Sequence, residues 1–299
     1  MTDRTALSEA LERARSVDGV QIELHAPGDP ASAVIVLDGP QAQARIALQG
    51  AQVLSWRPGG GGDVLWCSPM IAPGSGKAMR GGIPICWPWF GPHGEPGRPQ
   101  HGNARSAIWR LDGVVRTAGG WEISFALPAG ADRLSARLDV RIGQQLALEL
   151  RTCNEGSAPA TLSTAFHTYF RVGDVTGIRV RGLDAATYRD NADGGRSKIQ
   201  RGDLMISGET VALFDTSPAV VVLDDPTLGR RIHVERTGGA STIVWNPMAA
   251  ARAMADIPDG QEREFICVES GAVGAASVTL VEGAIHALGV VYRVEPIGP

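Results

Sequence analysis

Residues 134–151 alternate apolar and polar side chains with a period of two. Leu134, Ala136, Leu138, Val140 and Ile142 interleave with Ser135, Arg137, Asp139 and Arg141; beyond Gly143-Gln144, Leu146, Leu148 and Leu150 interleave with Ala147, Glu149 and Arg151. Successive side chains of a strand point to opposite faces, so this pattern fits a hairpin with one dry face and one wet face. Shorter runs of the same kind recur at residues 20–25, 33–37, 45–48, 53–56, 121–127, 219–223, 231–235, 241–245, 264–269, 277–281 and 287–294. Strands spaced by roughly 8–12 residues, with Gly, Pro, Asn or Asp between them, indicate a sandwich or barrel. The 38 glycines and 19 prolines are dispersed along the chain as that punctuation and do not gather into a linker.

Only residues 5–15 carry a helical period, with Leu7, Ala10, Leu11 and Ala14 at 3/4 spacing. They predict a short amphipathic helix within an N-terminal extension, residues 1–18. Nothing alternates strands with long helices, no G-x-G-x-x-G follows a strand, and G-x-x-x-x-G-K-[ST] is absent. Doubly wound α/β folds and their nucleotide chemistry therefore lose their sequence support. No repeat of fixed period marks a propeller. The expectation is one all-β domain over residues 1–299, a large antiparallel sandwich with a short N-terminal helix.

Composition narrows the function classes. A net charge of -4 leaves no basic excess for nucleic acid. No stretch free of Asp, Glu, Lys and Arg exceeds 15 residues, whereas a membrane-spanning helix needs about 20 apolar residues. The N-terminus is charged from Asp3 onward and has no secretory pattern. Cys67, Cys86, Cys153 and Cys267 are scattered without a C-x-x-C pair, and read as reduced, mostly buried thiols of a cytoplasmic protein rather than zinc ligands. A monomer is expected.

Three segments could carry chemistry. Residues 80–105 hold six glycines, five prolines, two tryptophans, two histidines and three arginines. Such a loop is shaped by fixed and permissive backbone positions, and its indole faces beside arginines suit a sugar bearing an anionic group. It reads equally as a long packed connection with Trp87 and Trp89 in the core. His167, in the strand-like Phe166-His167-Thr168-Tyr169-Phe170-Arg171, is either a satisfied core histidine or a general acid. In Phe265-Ile266-Cys267-Val268-Glu269, Ile266 and Val268 share one strand face, and Cys267 and Glu269 the other. Glu269 either reaches solvent at the strand end or sits desolvated as a working base.

Taken together, Arg80-Gly81-Gly82-Ile83-Pro84, Trp87-Pro88-Trp89-Phe90-Gly91-Pro92, Gln100-His101-Gly102-Asn103-Ala104-Arg105, His167-Thr168-Tyr169-Phe170, Trp245-Asn246-Pro247 and Cys267-Val268-Glu269 resemble the hexose-6-phosphate mutarotase branch of the aldose 1-epimerase family. The R-G-G-I-P and Q-H-G-x-A-R pieces are the most specific. The resemblance implies a galactose mutarotase-like β-supersandwich and a cofactor-free isomerase interconverting α and β anomers of hexose 6-phosphates, glucose 6-phosphate first. It implies His167 as general acid and Glu269 as general base, on opposite sides of the sugar ring. Arg80 and Arg105 would hold the 6-phosphate, Gln100 would contact the substrate, and His101 would position the sugar. Two other readings are a non-catalytic sugar-phosphate binding protein and an epimerase of unphosphorylated aldoses. One departure concerns the family's sugar-binding aspartate: in Gly208-Glu209-Thr210-Val211, Val211 stands at its place, with Glu209 and Asp215 as the nearby acids.

Overall fold

The alternating segments pair into antiparallel sheets. In the computed structural model, which describes residues 4–298, the strands Leu134–Ile142 and Gln145–Asn154 form the expected hairpin, registered Ile142 to Leu146 across Gly143-Gln144. Leu138, Val140, Ile142, Leu146, Leu148 and Leu150 are buried on its dry face. On the wet face Arg137 and Arg151 both pair with Asp139, at 3.2 and 2.9 Å. Around this hairpin an eight-stranded sheet runs in the order Arg179–Arg181, Val220–Asp225, Arg230–Thr237, Ile285–Pro296, Gln145–Asn154, Leu134–Ile142, Gly120–Leu127, Arg110–Thr117.

A second eight-stranded sheet has the order Arg196–Ile199, Thr187–Asp190, Thr210–Phe214, Ser241–Asn246, Phe265–Ala272, Thr164–Phe166, Ile85–Cys86, and Tyr169–Arg171 also pairs with Phe265–Ala272. The strands Val20–Leu24, Ala33–Asp38, Ala42–Ala47 and Gln52–Pro58 make a four-stranded meander. One continuous apolar core joins these three larger sheets, drawing Leu138 and Leu150 from the hairpin, Ile35 and Val53 from the meander, and Phe166, Val244 and Val268 from the second sheet. This is the all-β antiparallel architecture the alternation demanded, and among the described residues no helix is long and apolar enough to cross a membrane.

Several strands lack the alternating signal. Thr187–Asp190 and Arg196–Ile199 lie at the end of their sheet and are mostly exposed, so neither of their faces must be apolar. Arg110–Thr117 is the last strand of the other large sheet, and its register shifts between Leu111 and Gly113, which breaks the period. The four cysteines are free: Cys86 and Cys267 are buried, Cys67 and Cys153 only partly so.

The predicted helix is Arg4–Arg15, and it buries Leu7, Ala10, Leu11 and Ala14. Residues 1–3 of the expected extension, and residue 299, lie outside the described residues. Because these four side chains belong to the main core, the helix is part of the packed structure. Leu11→Ala should therefore cost about 2–3 kcal/mol, at the lower end for buried leucines; calorimetry should record a lower Tm for a single cooperative transition, and an unchanged Tm would mean that the helix is not docked in solution.

Candidate functional site

The site is built on the strand Phe265–Ala272, whose eight residues are all buried. Ile266 and Val268 point into the main core, so strand geometry turns Phe265, Cys267 and Glu269 to the other face of the sheet. Cross-strand register adds Trp245 and Ile243, which pair with Cys267 and Glu269, and then Val211 and Leu213 beyond them. Two apolar clusters dress this second face. One gathers Trp66, Tyr169, Ile257, Phe265 and Cys267 with Trp245 against it; the other gathers Cys86, Ala165, Leu213, Ile243 and Val273 with Phe90. Of the two outcomes open for Glu269, the fold takes burial: the residue is 1% exposed, and its Oε2 has no hydrogen-bond partner.

His167 does not lie within a strand. Thr164–Phe166 and Tyr169–Arg171 pair with Phe265–Ala272 in one register, Phe166 opposite Ser270 and Tyr169 opposite Cys267, and His167-Thr168 interrupts them. The same register sets His167 across from Glu269. Thr168 N–H turns back to the Phe166 carbonyl at 3.0 Å, while His167 N–H donates to the Pro84 carbonyl at 2.9 Å. His167 Nε2 consequently lies 3.4 Å from Glu269 Oε1. The two groups are thus side by side, not separated by the width of a sugar ring. The Tyr169 ring stacks on the imidazole at 4.8 Å between centroids, and Trp245 and His101 meet it edge-on at 5.8 and 5.7 Å.

The glycine-rich segment places the remaining polar groups. Gly81 and Gly82 have φ of 104° and 62°, and a Cβ on either would collide with the Trp66-Cys67 or Val53-Leu54 backbone. That close approach threads Arg80-Gly81-Gly82-Ile83-Pro84 beside the break, where the Gly82 carbonyl accepts from Tyr169 N–H at 2.9 Å. Arg80 emerges from it with Nε donating to Asp256 Oδ2 at 2.9 Å and Nη1 to the Tyr169 hydroxyl at 3.2 Å, its guanidinium 5.8 Å from the Trp245 ring centroid. Further on, His101-Gly102 turns against Trp87: Asn103 and Ala104 N–H donate to the Trp87 carbonyl, and Gly91 N–H donates to His101 Nδ1 at 3.2 Å. Arg105 Nη2 donates to the Gln100 carbonyl at 2.7 Å. Gln100 is thus tied to Arg105 through its backbone, while the residue itself is exposed.

Burial dominates the electrostatics. It pushes the His167 imidazole well below its usual proton affinity, and His101, Arg105 and Arg80 push it the same way. Burial raises Glu269 well above the usual carboxylate range, opposed only by Arg105. An ion pair at 3.4 Å would favour both charges, whereas desolvation works against each of them. His101 is lowered to about 3 by burial, then by Arg105 and Arg80. It is therefore neutral, and with Nδ1 accepting from Gly91 its proton is on Nε2. An imidazole in contact with a carboxyl group, with a second, neutral imidazole and two guanidiniums in the same neighbourhood, can pass a proton to and from a polar ligand while holding an anionic group nearby.

His167, Glu269, His101, Arg80 and Arg105 thus fall into one electrostatic neighbourhood. Sequence reasoning assigned no role to Tyr169 or Trp245, although both stood inside quoted motifs, nor to Asp256. The Asp256 contact had no signal in the sequence, since it joins residues 176 positions apart. Neither acid near Val211 takes the place of an aspartate there. Asp215 is held by Arg189 at 3.0 Å and by Ala275 N–H at 3.2 Å, and Glu209 is exposed beside a separate cleft with Tyr188 and Gln200.

Residues 33–293 match the aldose 1-epimerase family. The chain is 35% identical over 247 residues to a Salmonella typhimurium protein provisionally named glucose-6-phosphate 1-epimerase, covering 79% of this chain and 82% of that one. It is 33% identical over 248 residues to a protein of the same provisional name from Cenchrus ciliaris, covering 77% and 75%. The crystal structure of a provisionally assigned mutarotase from Salmonella typhimurium superposes with a TM-score of 0.82 at 31% identity, over 88% of this chain and 90% of that one. This chain belongs to the aldose 1-epimerase family, with the galactose mutarotase-like fold.

The turn at Gly102 offers a local test. Its φ is 75°, and an added Cβ would fall on the Trp87 carbonyl. Gly102→Ala should destabilise the protein by about 2–3 kcal/mol from backbone strain and overlap together, read as a lower melting temperature; a fully stable variant would show that the turn relaxes freely.

Proposed function

We propose that the protein is an isomerase that interconverts the α and β anomers of hexose 6-phosphates, with glucose 6-phosphate as its first substrate, and that it works as a cytoplasmic monomer. The observation that supports this best is the buried contact between His167 and Glu269 beside two guanidiniums. The free thiols agree with the cytoplasm.

Anomer exchange opens a cyclic hemiacetal, turns the aldehyde about C1–C2 and recloses on its other face. In opening, Glu269 takes the proton of the anomeric hydroxyl while His167 delivers one to the ring oxygen; the C1–ring oxygen bond breaks as C1=O forms. Closure runs the two transfers backwards. Both oxygens share a single carbon, so neighbouring acid and base groups can serve them together, and the contact geometry suits this better than two groups flanking the ring. His101 offers its Nε2–H as a neutral donor to a sugar oxygen. Arg80 and Arg105 hold the phosphate, for which the planar guanidinium fork is well shaped. Gln100 borders that rim.

Each positioned proton transfer contributes about 10²–10⁴ in rate. His167→Ala and Glu269→Gln should each lower kcat for glucose 6-phosphate by about that factor, measured by NMR exchange between anomers, with the fold intact by circular dichroism. Full rate in both variants would overturn the mechanism.

The pH profile carries a second test. Protonating His167 is resisted by burial and the flanking cations, so the acid limb falls below the usual imidazole range near 6.5. Ionising Glu269 would leave a buried carboxylate, so the alkaline limb lies well above the usual carboxylate range. Once the substrate phosphate's own ionisation at about pH 6 is divided out, kcat/KM should therefore be flat through about pH 6.5; a limb remaining there would mean that His167 titrates as a solvated imidazole.

A further inference from the structure

One side chain touches both His167 and Arg80. Tyr169 is 2% exposed, and its ring lies flat on the His167 imidazole, 4.8 Å between centroids and 9° between planes. Its hydroxyl accepts from Arg80 Nη1 at 3.2 Å. The backbone beneath that ring is held on both sides: Tyr169 N–H donates to the Gly82 carbonyl at 2.9 Å, and the Tyr169 carbonyl accepts from Trp66 N–H at 3.0 Å. Trp66, Phe265 and Trp245 wall the ring, with centroids 5.9, 5.4 and 5.9 Å away. The tilt of the ring and the place of its hydroxyl are therefore set by packing in a buried aromatic cluster.

Arg80 is tied at two points. Nε donates to Asp256 Oδ2 at 2.9 Å and Nη1 donates to Tyr169, whereas Nη2 makes no hydrogen bond among the described residues. A guanidinium is planar, so a single hydrogen bond lets it swivel, while two on different nitrogens fix the plane and the direction of the third. The two ties differ in charge. Asp256, with its side chain 43% exposed, orients Arg80 but also repels an approaching anion. The phenol of Tyr169 is uncharged at neutral pH and orients the cation without opposing a ligand's charge. Resting on the reading that Arg80 holds the 6-phosphate, we infer that Tyr169 is a positioning residue for phosphate recognition: its hydroxyl, carried on a ring stacked against His167, aims Arg80 Nη2 at the phosphate. The anchor for the remote end of the sugar is thereby registered to the imidazole that serves the ring oxygen, which is how binding energy away from C1 is turned to orientation at C1.

The test uses the whole enzyme and Tyr169→Phe, which keeps the stacked ring and removes only the hydroxyl. Anomer exchange of glucose 6-phosphate is followed by NMR over a range of concentrations in the unaltered enzyme, Tyr169→Phe, Arg80→Ala and the double variant. Tyr169→Phe should raise KM about three- to tenfold, the worth of an ordinary hydrogen bond, with kcat held within about twofold. In the Arg80→Ala background the same substitution should leave KM unchanged, because the hydroxyl has nothing left to aim. A merely structural role would shift KM or kcat alike in both backgrounds and overturns the inference. So does a KM that Tyr169→Phe leaves unchanged or lowers, and so does a fall in kcat larger than the rise in KM, which would put the hydroxyl in the chemistry. In each of these cases the proposed function stands as long as Arg80→Ala raises KM. If Arg80→Ala leaves KM for glucose 6-phosphate unchanged, Arg80 does not hold the phosphate, and that reading and the inference fall together.

Discussion

The structure turns on the burial of one carboxyl group. Glu269 sits in the middle of a strand in which every residue is buried; an imidazole lies 3.4 Å from one of its oxygens, and the other has no hydrogen-bond partner. A charged carboxylate there would lack the partners that make such burial tolerable. Burial raises its proton affinity well above the usual carboxylate range and lowers that of the imidazole beside it. Around the pair stand Tyr169 and Trp245 as aromatic neighbours, Arg80 and Arg105 as a positive field, and His101 as a neutral imidazole.

Holding such a pair requires a rigid platform, and the fold supplies it from both sides. Beneath the strand, Ile266 and Val268 anchor in the main core; above it, two smaller apolar clusters flank Glu269. The threaded Arg80-Gly81-Gly82-Ile83-Pro84 segment fixes the interrupted strand through the carbonyls of Gly82 and Pro84. Without a Cβ at positions 81 and 82, the segment can approach closely enough to do this. Its glycines therefore serve the placement of His167 as much as the path of the chain.

How much of this was readable in the sequence follows from the physics of each feature. The hairpin of Leu134–Ile142 and Gln145–Asn154 was legible as a hairpin, its second strand read over 146–151 and running a few residues further, because a face buried against a core imposes strict alternation. The end strands Thr187–Asp190 and Arg196–Ile199 were not, because a wet strand leaves no such trace. The alternation of Ile266 and Val268 with Cys267 and Glu269 placed the carboxyl on its face, but its burial depended on Trp245 and Ile243 of the neighbouring strand. The strand break at His167 was hidden, since Thr168 is as compatible with a strand as its neighbours. Asp256 was hidden for a different reason: an ion pair between distant segments has no local pattern.

The polar groups of the site come from residues 80–105, 167, 256 and 269, and they meet only where Phe265–Ala272 is already paired on both edges. No contiguous stretch of chain supplies all of them. The contact between His167 and Glu269 consequently depends on pairings between segments far apart along the chain. A molecule that has lost any one of those pairings should lose the chemistry along with it, so turnover in this protein doubles as a gauge of whether the whole β-structure has closed.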